Sequence, residues 1–199
     1  MIAIVNYGVG NLASVEKAIK KLGFSAEITD SPEKIARADR IIFPGVGAFG
    51  ATIQNLQKAG LISVLEKNLK NGTPLLGICL GHQLLFTDSE EHGYFKGLNW
   101  IPGHVKRFPE TVRIPHMGWN RVEFTQTSPL FAGISSGTFF YFANSYYSET
   151  DKPYQLATTE YGLTFTSAAR NRNVYGVQFH PEKSQEAGLQ LLDNFVRKI

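Results

Sequence analysis

The single cysteine of the sequence lies in a pattern of residues that is typical of a nucleophile at a tight turn. Cys79 lies in Gly77-Ile78-Cys79-Leu80-Gly81, directly after an apolar run and before a helical pattern. This is the thiol form of the Gly-x-Ser-x-Gly elbow, whose small residues relieve crowding at a strained strand-to-helix turn. Such a turn would aim the backbone N–H of Leu80 at a developing oxyanion. The alternative is an inert thiol in the core, where free cysteine is common.

A thiol nucleophile needs a base and a group that orients the base. Of the five histidines, His180 ends an apolar strand pattern and precedes Pro181, and a residue before proline favours an extended backbone. Residues i and i+2 of an extended chain face the same side, so Glu182 can sit beside the imidazole and hold its tautomer. We therefore predict Cys79, His180 and Glu182 as nucleophile, base and orienting carboxylate.

A second oxyanion donor is predicted in a glycine-rich turn. Pro44-Gly45-Val46-Gly47 follows the third predicted strand. Glycine lets backbone N–H groups approach a substrate closely. On its own, the same segment also fits a routine strand-to-helix turn.

The elements that would position these residues change character halfway along the chain. The first half predicts buried strands at 2–5, 24–29, 41–43 and 74–78, with helices at 12–22 and 53–70. The second half predicts short aromatic and β-branched strands at 118–124, 138–142, 155–161, 163–169 and 174–179, then a closing helix. Strands that alternate with helices imply a parallel sheet. We predict one α/β domain over 1–199, with a mixed, mainly parallel sheet flanked by helices and β-rich insertions.

Composition excludes several classes of protein. The 199 residues carry a net charge of +3, with 43% apolar and 19% charged residues, which excludes disorder. One cysteine cannot form an internal disulfide or a cysteine-cluster metal site. No basic run exceeds two residues and no apolar stretch approaches about 20, so nucleic acid and membrane partners are not expected. Without a basic leader at Met1, we expect a cytoplasmic protein that needs no metal or cofactor.

The three segments around Gly47, Cys79 and His180 together resemble the class I (triad) glutamine amidotransferases. The segments 114–120 (Ile-Pro-His-Met-Gly-Trp-Asn), 175–184 and 4–11 narrow the resemblance to the glutaminase subunits of imidazole glycerol phosphate synthase. The resemblance covers nearly the whole chain. The His-Pro-Glu segment is shared across the superfamily and specifies only the chemistry, whereas the segment at 114–120 is the more specific signal.

The resemblance implies a reaction and a set of substrate contacts. Cys79 would attack the side-chain amide of glutamine, and His180 would protonate the departing ammonia and activate water to hydrolyse the thioester. The resemblance also implies further site residues: Gly47, Gln83 and Ser145 for glutamine, with Val46 and Leu80 as oxyanion-hole donors.

The resemblance further implies a protein partner and a pathway. Ammonia would pass through a channel to a (β/α)₈-barrel synthase subunit in a heterodimer. That subunit would form imidazole glycerol phosphate and an aminoimidazole carboxamide ribotide in histidine biosynthesis. The partner interface would include His116, Met117, Gly118, Trp119 and Asn120, and glutaminase activity would be weak until the partner is bound and loaded.

Two positions depart from the family pattern. Asn144 stands where the family usually has histidine, so substrate contacts or coupling near this position are open to change. His82 stands where methionine is frequent, and on the elbow helix we expect its side chain to point away from Cys79 into the core.

Three other functions remain open at the level of sequence. A dinucleotide-binding protein would explain Gly8-x-Gly10-x-x-Ala13 after the first strand and Asp30 about 20 residues further on, but not Cys79 or His180. A related glutaminase subunit that feeds a sugar amidation enzyme in surface polysaccharide synthesis is the second. The third is a catalytically dead interaction subunit, which the intact triad argues against.

Overall fold

The computed structural model describes residues 1–8 and 10–199, and in them a strand–helix alternation gives way to a strand-rich second half. The helices are α1 (Leu12–Lys21), α2 (Pro32–Ala36), α3 (Phe49–Lys58), α4 (Leu61–Lys70), α5 (Leu80–Leu84) and α6 (Gln185–Lys198). The strands are β1 (Ile2–Val5), β2 (Ala26–Thr29), β3 (Arg40–Gly45), β4 (Leu75–Cys79), β5 (Asp88–Ser89), β6 (Phe95–Lys96), β7 (His104–Arg107), β8 (His116–Phe124), β9 (Thr138–Asn144), β10 (Tyr146–Glu149), β11 (Gln155–Glu160), β12 (Thr164–Asn171) and β13 (Val174–Val177). Two 3₁₀ turns cover Pro129–Phe131 and Pro181–Lys183.

The sheet has a parallel block to which antiparallel strands are added along one side. Strands β2, β1, β3, β4 and β13 lie side by side in that order and are all parallel. Strand β12 runs antiparallel to β13, and β10, β7, β5 and β6 continue the sheet, while β11, β8 and β9 branch from β12. This confirms the predicted fold class, a mixed sheet with parallel strands flanked by helices.

Two predicted elements differ from the structure. The helix predicted at 53–70 is divided into α3 and α4, because Gly60 adopts the left-handed conformation at φ 65° and interrupts the hydrogen-bond ladder. The strand predicted at 174–179 is β13, which ends at Val177 and pairs in parallel with β4, Val177 opposite Ile78. The carboxyl ends of β4 and β13 therefore lie together, and Cys79 and His180 follow from them.

Apolar side chains fill both faces of the parallel block. Along β1, Ile2 and Ile4 enter the hydrophobic cluster that contains residues of α1 and α6, whereas Ala3 and Val5 enter the cluster that contains residues of α2, α3 and α4. This alternation follows from the two-residue period of a strand, and it buries the sheet on both sides. Among the helices that the structure describes, none is long and apolar enough to cross a membrane.

Candidate active site

Cys79 occupies a strained turn that depends on its neighbouring glycines. Its backbone has φ 55° and ψ −112°, a conformation that L-residues rarely adopt outside functional turns. A Cβ atom on Gly81 would lie 1.8 Å from the carbonyl oxygen of Phe43, and one on Gly77 would lie 2.7 Å from the carbonyl oxygen of Gly81. The start of α5 therefore packs directly on β3 and β4, and only glycine at these two positions allows it.

His180 and Glu182 form a buried pair at the end of β13. The Nδ1 atom of His180 lies 2.8 Å from Oε1 of Glu182, and only 4% and 1% of the two side chains are exposed. His180 is extended, at φ −99° and ψ 95°, but Glu182 belongs to the 3₁₀ turn rather than to a continuing strand. The contact predicted from the sequence is thus present, reached through a turn.

Strand β9 fixes the backbone on both sides of His180. The N–H of His180 donates to the carbonyl oxygen of Tyr141 at 2.8 Å, and the hydroxyl of Ser184 donates to the carbonyl oxygen of His180 at 2.6 Å. The N–H of Tyr141 in turn donates to the Ser184 hydroxyl at 3.0 Å. These three bonds fix the backbone of His180 relative to β9, and with it the starting point of the imidazole side chain.

The environment of His180 stabilises its protonated form. Burial disfavours the charge, but interactions with Cys79 and Glu182 outweigh burial and raise the pKa of the His180 imidazole to about 10. At neutral pH the ring is therefore an imidazolium beside the Cys79 sulfur. It can stabilise negative charge on that sulfur and donate a proton to a leaving group.

Asn11 joins the site from the first turn of the sheet, which the sequence did not predict. Asparagine at the N-cap of a helix commonly caps it, but the side chain of Asn11 makes no capping hydrogen bond to α1. Its Nδ2 atom instead donates to Oε1 of Glu182 at 3.0 Å. The turn that resembled a dinucleotide-binding fingerprint thus supplies a hydrogen-bond donor to the Glu182 carboxylate.

The pocket in front of Cys79 has a volume of about 300 Å³, and residues of β8 and β9 are part of its wall. It brings together the residues that the sequence assigned to catalysis, oxyanion binding and substrate binding, with the exception of Glu182 behind His180. Its walls are formed by Val46, Gly47, Cys79, Leu80, Gln83, Glu91, Pro115, Met117, Ala143, Asn144, Ser145, Tyr146, His180 and Lys183. Glu91 and Lys183 are members that the sequence analysis did not single out.

A chain of amide groups connects the pocket wall to the sulfur. The Nε2 atom of Gln83 donates to Oε1 of Gln178 at 2.9 Å and to the carbonyl oxygen of Tyr146 at 2.9 Å. Nε2 of Gln178 points at the Cys79 sulfur from 3.8 Å. Gln178 was missed as a site residue, although a glutamine inside an apolar strand pattern is the signal that could have identified it.

His82 points away from Cys79, as expected. Its ring is fully buried, packs edge-on against Phe86 with centroids 5.0 Å apart, and places Nε2 2.8 Å from the hydroxyl of Ser148. That hydroxyl donates to the carbonyl oxygen of Thr166 at 3.0 Å, so Nε2 of His82 is the donor in their bond. Burial lowers the pKa of His82 to about 3, and the ring stays neutral.

Asn144 lies in the pocket wall beside the residue that contacts the sulfur. The carbonyl oxygen of Ala143 is 3.9 Å from the sulfur of Cys79. The Nδ2 atom of Asn144 donates to the carbonyl oxygen of Tyr146 at 2.8 Å, the same oxygen that accepts from Gln83. Asn144 therefore fixes the turn that presents Ser145 to the pocket.

The segment expected at a partner interface is divided between core and surface. His116 is buried, with its ring stacked on Phe142 and Tyr161 at centroid distances of 4.8 and 4.0 Å, so its side chain is part of the packing. Met117 and Trp119 are 66% and 45% exposed because they face the opposite side of β8. Met117 is the member of this segment that lines the pocket, Gly118 has φ 136°, and Asn120 donates to the carbonyl oxygen of Glu160 at 2.9 Å.

Comparisons with known proteins match the whole chain to one family. The family model described as glutamine amidotransferase class-I matches residues 3–199. The HisH subunit of imidazole glycerol phosphate synthase from Moorella thermoacetica is 51% identical over 98% of this chain and 93% of its own length. The HisH subunit from Archaeoglobus fulgidus is 48% identical over 100% of this chain and 99% of its own length.

Solved structures of lower sequence identity share the fold. A structure described as glutamine amidotransferase superposes with a TM-score of 0.77 at 19% identity, covering 98% of this chain and 100% of that one. PurLQS from Thermotoga maritima superposes with a TM-score of 0.75 at 18% identity, covering 99% and 97%. Together with the near full-length relatives, these matches show that the chain belongs to the class I glutamine amidotransferases and, within them, to the HisH subunits.

Proposed function

We propose that the chain is the glutaminase subunit of an imidazole glycerol phosphate synthase and releases ammonia from L-glutamine for a HisF-type (β/α)₈ subunit. The observation that carries this proposal is the convergence of Cys79, His180 and Glu182 beside one pocket, in a chain about half identical to HisH proteins over nearly its full length. In this function residues 1–199 act as one catalytic domain in the cytoplasm.

The first half of the reaction forms a thioester. The Cys79 sulfur, as a thiolate whose proton is held by His180, attacks the side-chain carbonyl carbon of glutamine, and the carbonyl electron pair moves onto oxygen. Backbone N–H groups of Leu80 and of the turn at Val46 stabilise that oxyanion. The oxyanion collapses and breaks the C–N bond, and the imidazolium of His180 gives its proton to the departing nitrogen, which leaves as ammonia.

The second half regenerates the thiolate and the imidazolium. His180, now neutral, removes a proton from water as the oxygen attacks the thioester carbon. The C–S bond breaks, glutamate leaves, and the sulfur and imidazole return to their starting state. Glu182 holds Nδ1 of His180 throughout, so that Nε2 faces the sulfur and the attacking water.

Several pocket residues have the chemistry to hold glutamine. Glu91 places a carboxylate in the pocket wall, which suits the α-ammonium group, and its Oε2 is held by the N–H of Phe49 at 2.8 Å. Gln83 is fixed by two hydrogen bonds and presents its remaining amide surface to the pocket, beside Gly47 and Ser145. We assign these residues to substrate binding.

An exposed apolar surface on β8 and β9 is the proposed docking site for the synthase subunit. It consists of Met117, Trp119 and Phe139, which are 66%, 45% and 47% exposed. Exposed aromatic and methionine side chains are enriched at the centres of protein interfaces. Met117 also lines the pocket, so a partner on this surface would cover the exit that ammonia must use.

Partner dependence of glutamate release tests this function. Glutamate production is measured for the chain alone, with the synthase subunit, and with that subunit plus its nucleotide acceptor. We expect the rate to rise by orders of magnitude from the first condition to the last. Full activity of the isolated chain would contradict the proposed coupling. If a sugar amidation enzyme activated glutamate release and the synthase subunit did not, the polysaccharide pathway would be favoured.

A further inference from the structure

Asn11 occupies the N-cap position of α1 but does not cap the helix. Its backbone is left-handed, at φ 67° and ψ 12°, which asparagine tolerates better than most residues. An asparagine at this position normally accepts a hydrogen bond from a backbone N–H in the first turn, and α1 lacks this bond. The side chain is therefore committed to another contact.

That contact is the oxygen of Glu182 that holds His180. Oε1 of Glu182 accepts from Nδ2 of Asn11 at 3.0 Å and lies 2.8 Å from Nδ1 of His180. Oε2 is buried and has no hydrogen-bond partner among the residues that the structure describes. Among the described residues, both polar contacts of the Glu182 carboxylate are therefore made by Oε1.

A glutamate carboxylate turns easily about its last side-chain bond, because that torsion has a broad profile. The space beside Glu182, bordered by Asn11, Pro44 and Gly45, is a cavity of about 10 Å³, with room for about one water molecule. Bulk solvent is therefore excluded from this space, and apart from His180 the donor that contacts the carboxylate among the described residues is Asn11.

We propose that Asn11 is a positioning residue, which holds the carboxylate of Glu182 so that Oε1 faces His180. This inference rests on the proposed function and extends it by one residue beyond the triad. Asn11 acts through Glu182 and His180 and does not touch the reacting atoms. Its loss should slow the chemical steps while leaving glutamine binding intact.

Two variants separate the hydrogen bond from the backbone. Asn11→Gly removes the side chain at a position whose left-handed conformation glycine accepts without strain. Asn11→Asp keeps the shape, removes the donor and places a second negative charge beside Glu182. The control is Asn99→Gly, a left-handed asparagine at φ 53° on the surface, away from the pocket walls.

Two readouts are compared in the complex with the synthase subunit. The first is the split between kcat and KM for glutamine. The second is the rate at which iodoacetamide alkylates this chain, followed by mass spectrometry of the separated chain, which reports on Cys79 alone because the chain has one cysteine. We expect Asn11→Gly to lower kcat and the alkylation rate about tenfold with KM within twofold. Asn11→Asp should lower both further, and Asn99→Gly should match wild type.

A double-mutant cycle with Glu182→Ala identifies the route of the effect. If Asn11 acts through the carboxylate, Asn11→Gly slows alkylation in wild type but changes it less than twofold in the Glu182→Ala background. An Asn11→Gly variant that matches Asn99→Gly, or an undiminished effect without Glu182, would overturn the inference. Thermal unfolding checks that each variant is folded. If Asn11→Gly has a much lower Tm than wild type, Asn11→Asp is compared with wild type instead. Failure of the proposed function would show differently, as glutamine hydrolysis that survives loss of Cys79.

Discussion

His180 and Glu182 are two residues apart in sequence, and their side chains form a 2.8 Å contact that is almost completely withdrawn from solvent. A carboxylate in such a place costs desolvation free energy unless it is partnered. Here the imidazolium and the amide of Asn11 are the partners. The pair is therefore coupled to the first turn of the sheet as well as to the nucleophile.

Glu182→Gln should reduce activity without abolishing it. The amide can still occupy the site, but its charge is lost and the imidazolium is stabilised less, so we expect kcat to fall about 10- to 100-fold. Steady-state glutamate release in the complex measures this. Glu66→Gln, an exposed carboxylate in α4, is the matched control and should retain full activity. Unchanged kcat in Glu182→Gln would remove the orienting role.

Gly81→Ala should destabilise the fold at the elbow. The new methyl group would lie 1.8 Å from the carbonyl oxygen of Phe43, and backbone cannot yield by that distance without opening the contact between α5 and β3. We expect a loss of about 3 kcal/mol or more in the free energy of unfolding, measured by denaturant titration. At Gly10 the nearest atom would be 3.6 Å away, so Gly10→Ala is the control. Equal stability of the two variants would contradict the packing argument.

His82 should make the protein sensitive to acid. Its pKa is lowered to about 3 by burial, so the unfolded chain binds a proton from about pH 6.5 downward while the folded chain does not. Its contribution to stability is complete above pH 6.5 and is lost as the pH falls towards 3. Between pH 7.5 and 4.5, His82→Met should lose less free energy of unfolding than wild type, by about 3 kcal/mol.

The exposed His92 supplies the control for this prediction. His92→Gln should keep the wild-type dependence on pH. A His82→Met variant with the same loss between pH 7.5 and 4.5 as wild type would show that His82 is not the group responsible.

Trp119→Ala should weaken assembly with the synthase subunit. A half-exposed tryptophan on the proposed docking surface has the properties of an interface hot spot, and we expect the Kd to rise about 30-fold. Isothermal titration measures this, with Tyr94→Ala as the control because Tyr94 is 70% exposed but outside the docking surface. If both variants bind as tightly as wild type, the partner lies elsewhere.

Local sequence patterns predicted the elbow and the His180 loop because each depends on a few adjacent residues. Glycines at 77 and 81 indicate a tight turn, and Pro181 restricts the backbone conformation of His180. The roles of Asn11 and Gln178 could not be predicted in this way. Asn11 meets Glu182 across 171 positions and Gln178 meets Cys79 across 99, and such contacts exist only once the sheet is assembled.

The sequence left the pairing direction of β13 open for the same reason. Its apolar run fits an antiparallel strand equally well, since a strand buried on both faces has no alternation to reveal its neighbours. His116 shows the converse problem. It lies next to exposed Met117, but the two-residue period of β8 turns it into the aromatic core.

Glutamine hydrolysis by Cys79→Ala in the loaded complex tests the central claim most directly. The variant removes only the sulfur, at a position where the fold tolerates a small side chain, so assembly with the synthase subunit should be retained and can be checked by gel filtration. We predict that glutamate release falls to background, while synthase activity with added ammonia is kept. Glutamate release at a rate comparable to wild type would show that Cys79 is not the nucleophile.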